Sequence, residues 1–237
     1  MRTIEGENEL LLTCEQTADG VAILRCETQD DDVRLPDEIG GAPVVSLGGY
    51  ALSERAPDLT GRGTFRVRVT CGGPEPVHDA NAIRSVTLPA RLQTVGGHTF
   101  YNCRRLETLV LTGSVRDFGG DTLMNCHALH HIRLRADPAQ PTCLRKILGE
   151  HMGELDVVFD HHGIQARLLF PAYSEVLEPV TPAHIFQRRI HGAGYGYREC
   201  FEAGVFQPHQ YDRALAGLLA RHDFIDAARI AVRRLAA

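Results

Sequence analysis

One pattern constrains this chain more than any other: an apolar motif that returns every 23 residues. It reads "IRSVTL" from Ile83, "LETLVL" from Leu106 and "LHHIRL" from Leu129, with a weaker copy, "MGELDV", from Met152. The last apolar position steps from Leu88 to Leu111, Leu134 and Val157, 23 residues each time. Within a copy, Val86 and Leu88 are two residues apart, the side-chain period of a strand, so both point to one face. Ile83, three places earlier, fills the core from the incoming turn. One copy cannot bury that face alone, so the copies must stack. The pattern predicts strands laid side by side, one repeat per step.

The connecting half of the unit repeats as well. Val95-Gly96-Gly97 answers Phe118-Gly119-Gly120, Phe100 answers Leu123, Asn102 answers Asn125, and Cys103 answers Cys126. A looser unit, "VRLPDEIGGAPVVSLGGYALS", starts at Val33. It shares Leu35-Pro36 with Leu88-Pro89 and Leu47-Gly48-Gly49 with the later turns, with five extra residues between these features. "FRVRV", from Phe65 to Val69, alternates as a strand.

The L-x-x-L-x-L spacing is that of the strand segment of a leucine-rich repeat. The longer unit, V-T-L-P-x-x-L-x-x-V-G-G-x-x-F-x-x-C-x-x-L, resembles the BspA-type leucine-rich repeat over roughly residues 33–135, with a degenerate tail to 159. The resemblance implies a curved solenoid that binds proteins or surfaces and performs no catalysis. Many such proteins are exported adhesins; this sequence is short and shows no export signal.

The flanks read differently. "LLLTCEQTADGVAILRC" is a hairpin around Asp19-Gly20, suited to capping the first open edge of a stack. "CLRKILGEHMGE" predicts a helix with Leu144, Ile147, Leu148 and Met152 on one side, replacing the turn of the fourth repeat. "LDVVF" and "ARLLFP" predict a second hairpin around "DHHG". From Thr181 the texture turns helical. "TPAHIFQRRIHG" carries a Thr cap, Pro at the first helical position and a closing Gly. The last thirty residues predict an antiparallel helical pair broken near His222-Asp223, with Ile225, Ala228, Val232 and Leu235 as an apolar stripe. The expected fold is therefore α+β: a short leucine-rich-repeat solenoid of period 23 with an N-terminal β-hairpin cap over residues 1–180, then a helical C-terminal module over 181–237.

Composition excludes some functions. With 237 residues, 43% hydrophobic and 23% charged, the chain can bury a real core. A net charge of −5 gives no global reason to expect nucleic acid as a partner. The apolar run "LLL" near the start is too short for a membrane span or a signal core. Seven cysteines are an odd number, and with no signal in view reduced thiols and a cytoplasmic location are expected.

The chemistry-bearing residues do not assemble a site on paper. Cys103 and Cys126 share one register position and read as buried plugs. The doublets His130-His131 and His161-His162 point to opposite faces if they lie on strands, so neither chelates an ion from within a strand, and only the "DHHG" turn leaves that geometry open. Cys200 with His191 or His209 is the one nucleophile–base pairing to consider, and no spacing favours it. "GAGYG" follows a helix, the reverse of the dinucleotide-binding order. "QDDDV" lacks the Gly and distal Glu of a calcium loop. No metal or cofactor is expected.

What remains is a surface. If Val86, Leu88, Leu109, Leu111, Ile132 and Leu134 point inward, their neighbours point out. Stacking predicts two exposed columns, Ser85-Thr108-His131-Glu154 and Thr87-Val110-Arg133-Asp156. Val110 is then an apolar residue on a wet face beside Arg133 and His131, a mixture suited to recognition. Thr108, Val110, His131 and Arg133 are the candidate partner-binding residues, for a protein, peptide or glycan. The expected function is a non-enzymatic binding or scaffold module; one alternative is an enzyme with its site in the His- and Cys-bearing tail and repeats that recognise substrate, and another is a regulatory adaptor whose Arg-bearing C-terminal helices dock an acidic partner.

Overall fold

The computed structural model describes residues 1–180, 185–221 and 223–235. The N-terminal segment forms β1 (Arg2–Glu5) and the hairpin β2 (Leu10–Gln16) and β3 (Val21–Glu27). The loose first unit supplies β4 (Asp32–Arg34), β5 (Glu38–Ile39) and β6 (Ala42–Leu47), followed by β7 (Thr64–Thr70). The regular units give β8 (Ser85–Thr87), β9 (Thr94–Val95), β10 (Thr108–Thr112), β11 (Asp117–Phe118) and β12 (His131–Arg135).

The loose unit and the first two regular units thus contribute one strand to each of two sheets, and the third regular unit contributes β12 to the first. The first sheet has the order β4-β8-β10-β12 and continues past the regular repeats; the second runs β1-β7-β2-β3-β6-β9-β11. The expected 23-residue register holds, with Ser85 opposite Thr108 and Thr108 opposite His131 in parallel pairs. The N-terminal hairpin does lie beside the first unit, β3 pairing with β6 in parallel. The five extra residues of the loose unit form the small β5-β6 hairpin.

The core lies between the sheets. Val33, Val86, Leu109 and Ile132 form one inward row across the first sheet, all essentially inaccessible. Burying each stabilises by about 1.5–3 kcal/mol relative to exposure. The doubled glycines are explained by how tightly the turns stack. A Cβ at Gly119 would lie 2.4 Å from the backbone nitrogen of Gly97, and one at Gly96 would lie 2.5 Å from that of Gly49. One repeat's backbone rests directly on the next, and no side chain fits between.

Three polar ladders run through the same turns. The Thr122 hydroxyl donates to the carbonyls of Gly119 (2.6 Å) and Gly96 (3.2 Å), and that of Thr99 to Gly96 (2.6 Å) and Gly48 (3.1 Å). The Cys103 thiol donates to the carbonyl of Leu52 and the Cys126 thiol to that of Phe100, each one repeat back. Asn125 donates to Asn102 and Asn102 to Glu54, both at 2.7 Å. Asn102 and Asn125 sit at φ 62° and 65°, the left-handed region that Asn tolerates best after Gly. The cysteines are therefore more than apolar plugs: each bonds its thiol to the neighbouring turn, and burial pushes Cys126 up to about 12.

Beyond the repeats come α1 (Leu144–Glu150), β13 (Leu155–His161) and β14 (Ile164–Phe170), then β15 (Ser174–Val180) and β16 (Ile185–His191). A short α2 (Gly194–Arg198), the two-residue strands β17 (Phe201–Glu202) and β18 (Val205–Phe206), and the helices α3 (Pro208–Ala220) and α4 (Phe224–Leu235) complete the chain. β13 joins β12 in parallel, and β14 closes the first sheet antiparallel to β13.

Three expectations fail here. Residues 185–191 form a strand, not a helix: Phe186, Arg188 and Ile190 alternate against Pro179, Leu177 and Glu175 of β15, with Arg188–Glu175 and Arg189–Glu178 ion pairs across the hairpin. Alternating aromatic and branched residues with cross-strand pairs outweigh a local cap signal; that cap, Thr181-Pro182, lies outside the described residues. Second, Met152 is exposed instead of filling the fourth repeat's core. Third, Ile225, Ala228 and Val232 of α4 are exposed, while Ala227 and Ile230 are buried. The helix touches the sheet by a narrow edge, so the wider apolar stripe faces out.

Candidate interaction groove

The fourth strand departs from the period. His131 stands opposite Asp156 and Ile132 opposite Val157, a step of 25 residues where 23 was expected. Helix α1 replaces the Gly-Gly turn and adds two residues to the path. Two is also the side-chain period of a strand, so the inward face stays apolar, with Val157 and Phe159 buried, while the outward columns slide by one position. The outer columns become Ser85-Thr108-His131-Asp156-Leu169 and Thr87-Val110-Arg133-Val158-Arg167. The expected places of Glu154 and Asp156 are thereby corrected.

Of the four residues singled out on this face, His131 and Arg133 are exposed and Thr108 is half-buried. Val110 is 9% accessible, not an open apolar contact. Thr87 and Arg133 flank it across spacings of about 4.8 Å, enough to shelter a small branched side chain.

The far end of this face is walled by α4. Three features hold the helix there. Ala227 and Ile230 pack inward. Arg229 pairs with Glu154, and Arg233 approaches Asp156 at 3.6 Å. Tyr211 of α3 sits beneath, its hydroxyl donating to the carbonyl of Leu169 (2.6 Å) and accepting from the Leu169 amide (3.0 Å). Those two contacts satisfy backbone groups that an edge strand leaves open. Tyr211 also packs edge-on against Phe170, Tyr197 and Phe206.

Between helix and sheet lies a groove of about 460 Å³, floored by His131, Asp156 and Leu169 and walled by Ala228, Arg229 and Val232. A second hollow of about 320 Å³ continues it across Arg133, Val158 and Arg167. His131 and Asp156 line both. Asp156 is 6% accessible. Arg167 grips it with a bidentate hydrogen bond, Nε lying 2.9 Å and 3.1 Å from its two oxygens, and His131 Nδ1 lies 3.9 Å away. Burial holds the His131 pKa below the ordinary histidine value; His130, Arg167 and Arg233 push the same way and Asp156 opposes them. Arg133 makes no ion pair or hydrogen bond among the described residues.

The Cys200 thiol is buried, donates to the carbonyl of Gly196 and is pushed up to about 11 by burial; no hydrogen bond or ion pair joins it to His191 or His209. Arg198, absent from the sequence reading, is 4% accessible and donates to the carbonyls of Leu148, His151, Gly153, Pro171 and Gly194, with its guanidinium 4.7 Å over Tyr173. It ties α1, the start of β13, the end of β14 and α2 to one point. Among the described residues no group of three His, Cys, Asp or Glu side chains is placed to hold a metal ion, and no helix is long and apolar enough to cross a membrane.

Residues 78–140 match the family model of the BspA type leucine rich repeat region (6 copies). The match covers β8 to β12 and ends before the register changes. A crystal structure of a leucine rich repeat protein from T. pallidum is similar over 52% of this chain and 68% of that one, at 23% identity and a TM-score of 0.27. No curated protein matches the chain.

Proposed function

We propose that the protein is a binding module: a short leucine-rich-repeat solenoid that recognises a protein partner where the outer strand face meets α4. The observation that carries this reading is the groove itself. The exposed strand face ends in a walled hollow whose floor holds a buried, cation-ringed carboxylate and whose rim holds an uncommitted arginine. Rigid floors with a few convergent polar groups are where binding energy concentrates. His131 and Arg133 are the contacts we assign to the partner; Thr108 borders the same surface, and Val110 supports it from below. Seven unpaired thiols, six of them buried, support a reducing compartment, and we place the protein in the cytoplasm. Replacing His131 with Ala and Arg133 with Glu together should abolish capture of the partner, with an unchanged melting temperature. Undiminished capture would move the site elsewhere.

A further inference from the structure

We infer that the groove takes a short acidic peptide segment whose carboxylate meets Arg133 and whose neighbouring aliphatic side chain lies against Leu169, Ala228 and Val232. The inference rests on the reading that this groove is the working surface, and goes further by naming what enters it.

Charge is the first argument. The two hollows carry Arg133, Arg167, Arg229 and Arg233 against Glu154 and Asp156, so the arginines outnumber the acids by two. This happens in a chain whose net charge is −5. The two acids already have partners: Arg229 on Glu154, Arg167 and Arg233 on Asp156. Arg133 has none among the described residues, and it stands on a rigid strand between Val110 and Val158. A guanidinium on a preorganised strand binds a planar carboxylate in two-pronged fashion.

The wall supplies the second argument. Val232 is 61% accessible and Ile225, further along the same side of α4, is 77% accessible. Leu169 in the floor is nearly buried. An apolar wall beside a cationic rim fits a segment that alternates an acid with an aliphatic residue. It fits nucleic acid poorly, because Glu154 and Asp156 repel phosphates and, among the described residues, no Phe, Tyr or Trp ring lines either hollow for a base to stack on.

The test uses the full chain, immobilised, against a displayed library of short random peptides and, in parallel, a pool of single-stranded oligonucleotides. Recovered peptides are then titrated against wild type, Arg133→Glu and Val232→Glu, both changes at exposed positions, with melting temperatures as fold controls. We expect peptides enriched in Asp or Glu beside Leu, Ile or Val, losing about tenfold or more in affinity for each variant and weakening as salt rises. Peptides that are neutral or basic yet still sensitive to both variants would overturn the acidic ligand and leave the groove standing. Acidic peptides insensitive to both variants would overturn the groove as well. Recovery of oligonucleotides alone, or no enrichment of any peptide class, would overturn the peptide ligand.

Discussion

β8, β10 and β12 follow one another at 23 residues; β13 follows β12 at 25. The regular region has turns in which one backbone lies on the next, ladders of Thr, Cys and Asn, and open outer columns. The irregular one has a helix for a turn, a slipped column, an antiparallel closing strand and α4 across its face. The comparison teaches how a periodic scaffold acquires an individual surface. Periodicity builds a wall with little to tell one place from another. The two-residue slip puts Asp156 beside His131 without disturbing the core, and a one-residue slip would have driven Asp156 into it.

The two regions should fail differently. The largest effect is expected at Arg198. Replacement with Ala leaves a set of buried carbonyls without donors and should cost about 3 kcal/mol or more. Hydrogen exchange should show the loss confined to β13, β14 and the helices, with the repeats still protected; uniform loss would mean the two regions unfold as one. Next is a paired test within the repeats. Gly119→Ala drives a Cβ into the Gly97 backbone, whereas Gly120→Ala meets nothing within 4 Å. The first should cost about 1–3 kcal/mol and the second much less. Similar melting curves for both would refute the stacked-backbone account of the doubled glycines.

Tyr211→Phe removes one hydroxyl bonded to both backbone groups of Leu169 and should cost about 1–2 kcal/mol. Faster amide exchange at Leu169 than at Ile132 is the signature to look for. The smallest effect is a pH dependence. Burial, helped by Arg198, lowers the His151 pKa from the ordinary value of 6.5 to about 4. The folded protein keeps this ring neutral while the unfolded chain takes up a proton, so stability should fall as pH drops below about 6.5 and level off near about 4. His151→Gln should flatten that stretch of the curve; an unchanged slope would assign it to other groups.

Much of the regular region was legible because its physics is local and repeated. Ile83, Val86 and Leu88 declare their roles by spacing, and later copies confirm them. The Thr ladder is also written in the sequence, as Gly-Gly-x-Thr at residues 96–99 and 119–122, but a polar position carries none of the apolar periodicity that marks the strands. The slip at β13 could not be read: Leu155, Val157 and Phe159 alternate, so steps of 23 and 25 both bury apolar side chains, and only the length of α1 decides. Arg198 left no signal, since its partners are carbonyls that every residue carries. α4 misled because its strongest stripe faces outward, with Ala228 and Val232 along the groove, while its weaker edge of Ala227 and Ile230 packs inward.

The claim at the centre is that recognition occurs where the period breaks and not along the regular columns. Thr87 and Arg133 lie in one outer column, two repeats apart, with Val110 between them. Measuring partner affinity for Thr87→Glu and Arg133→Glu side by side tests the claim directly. The account predicts a loss of about tenfold or more at Arg133 and little change at Thr87. Equal losses, or a larger one at Thr87, would contradict it.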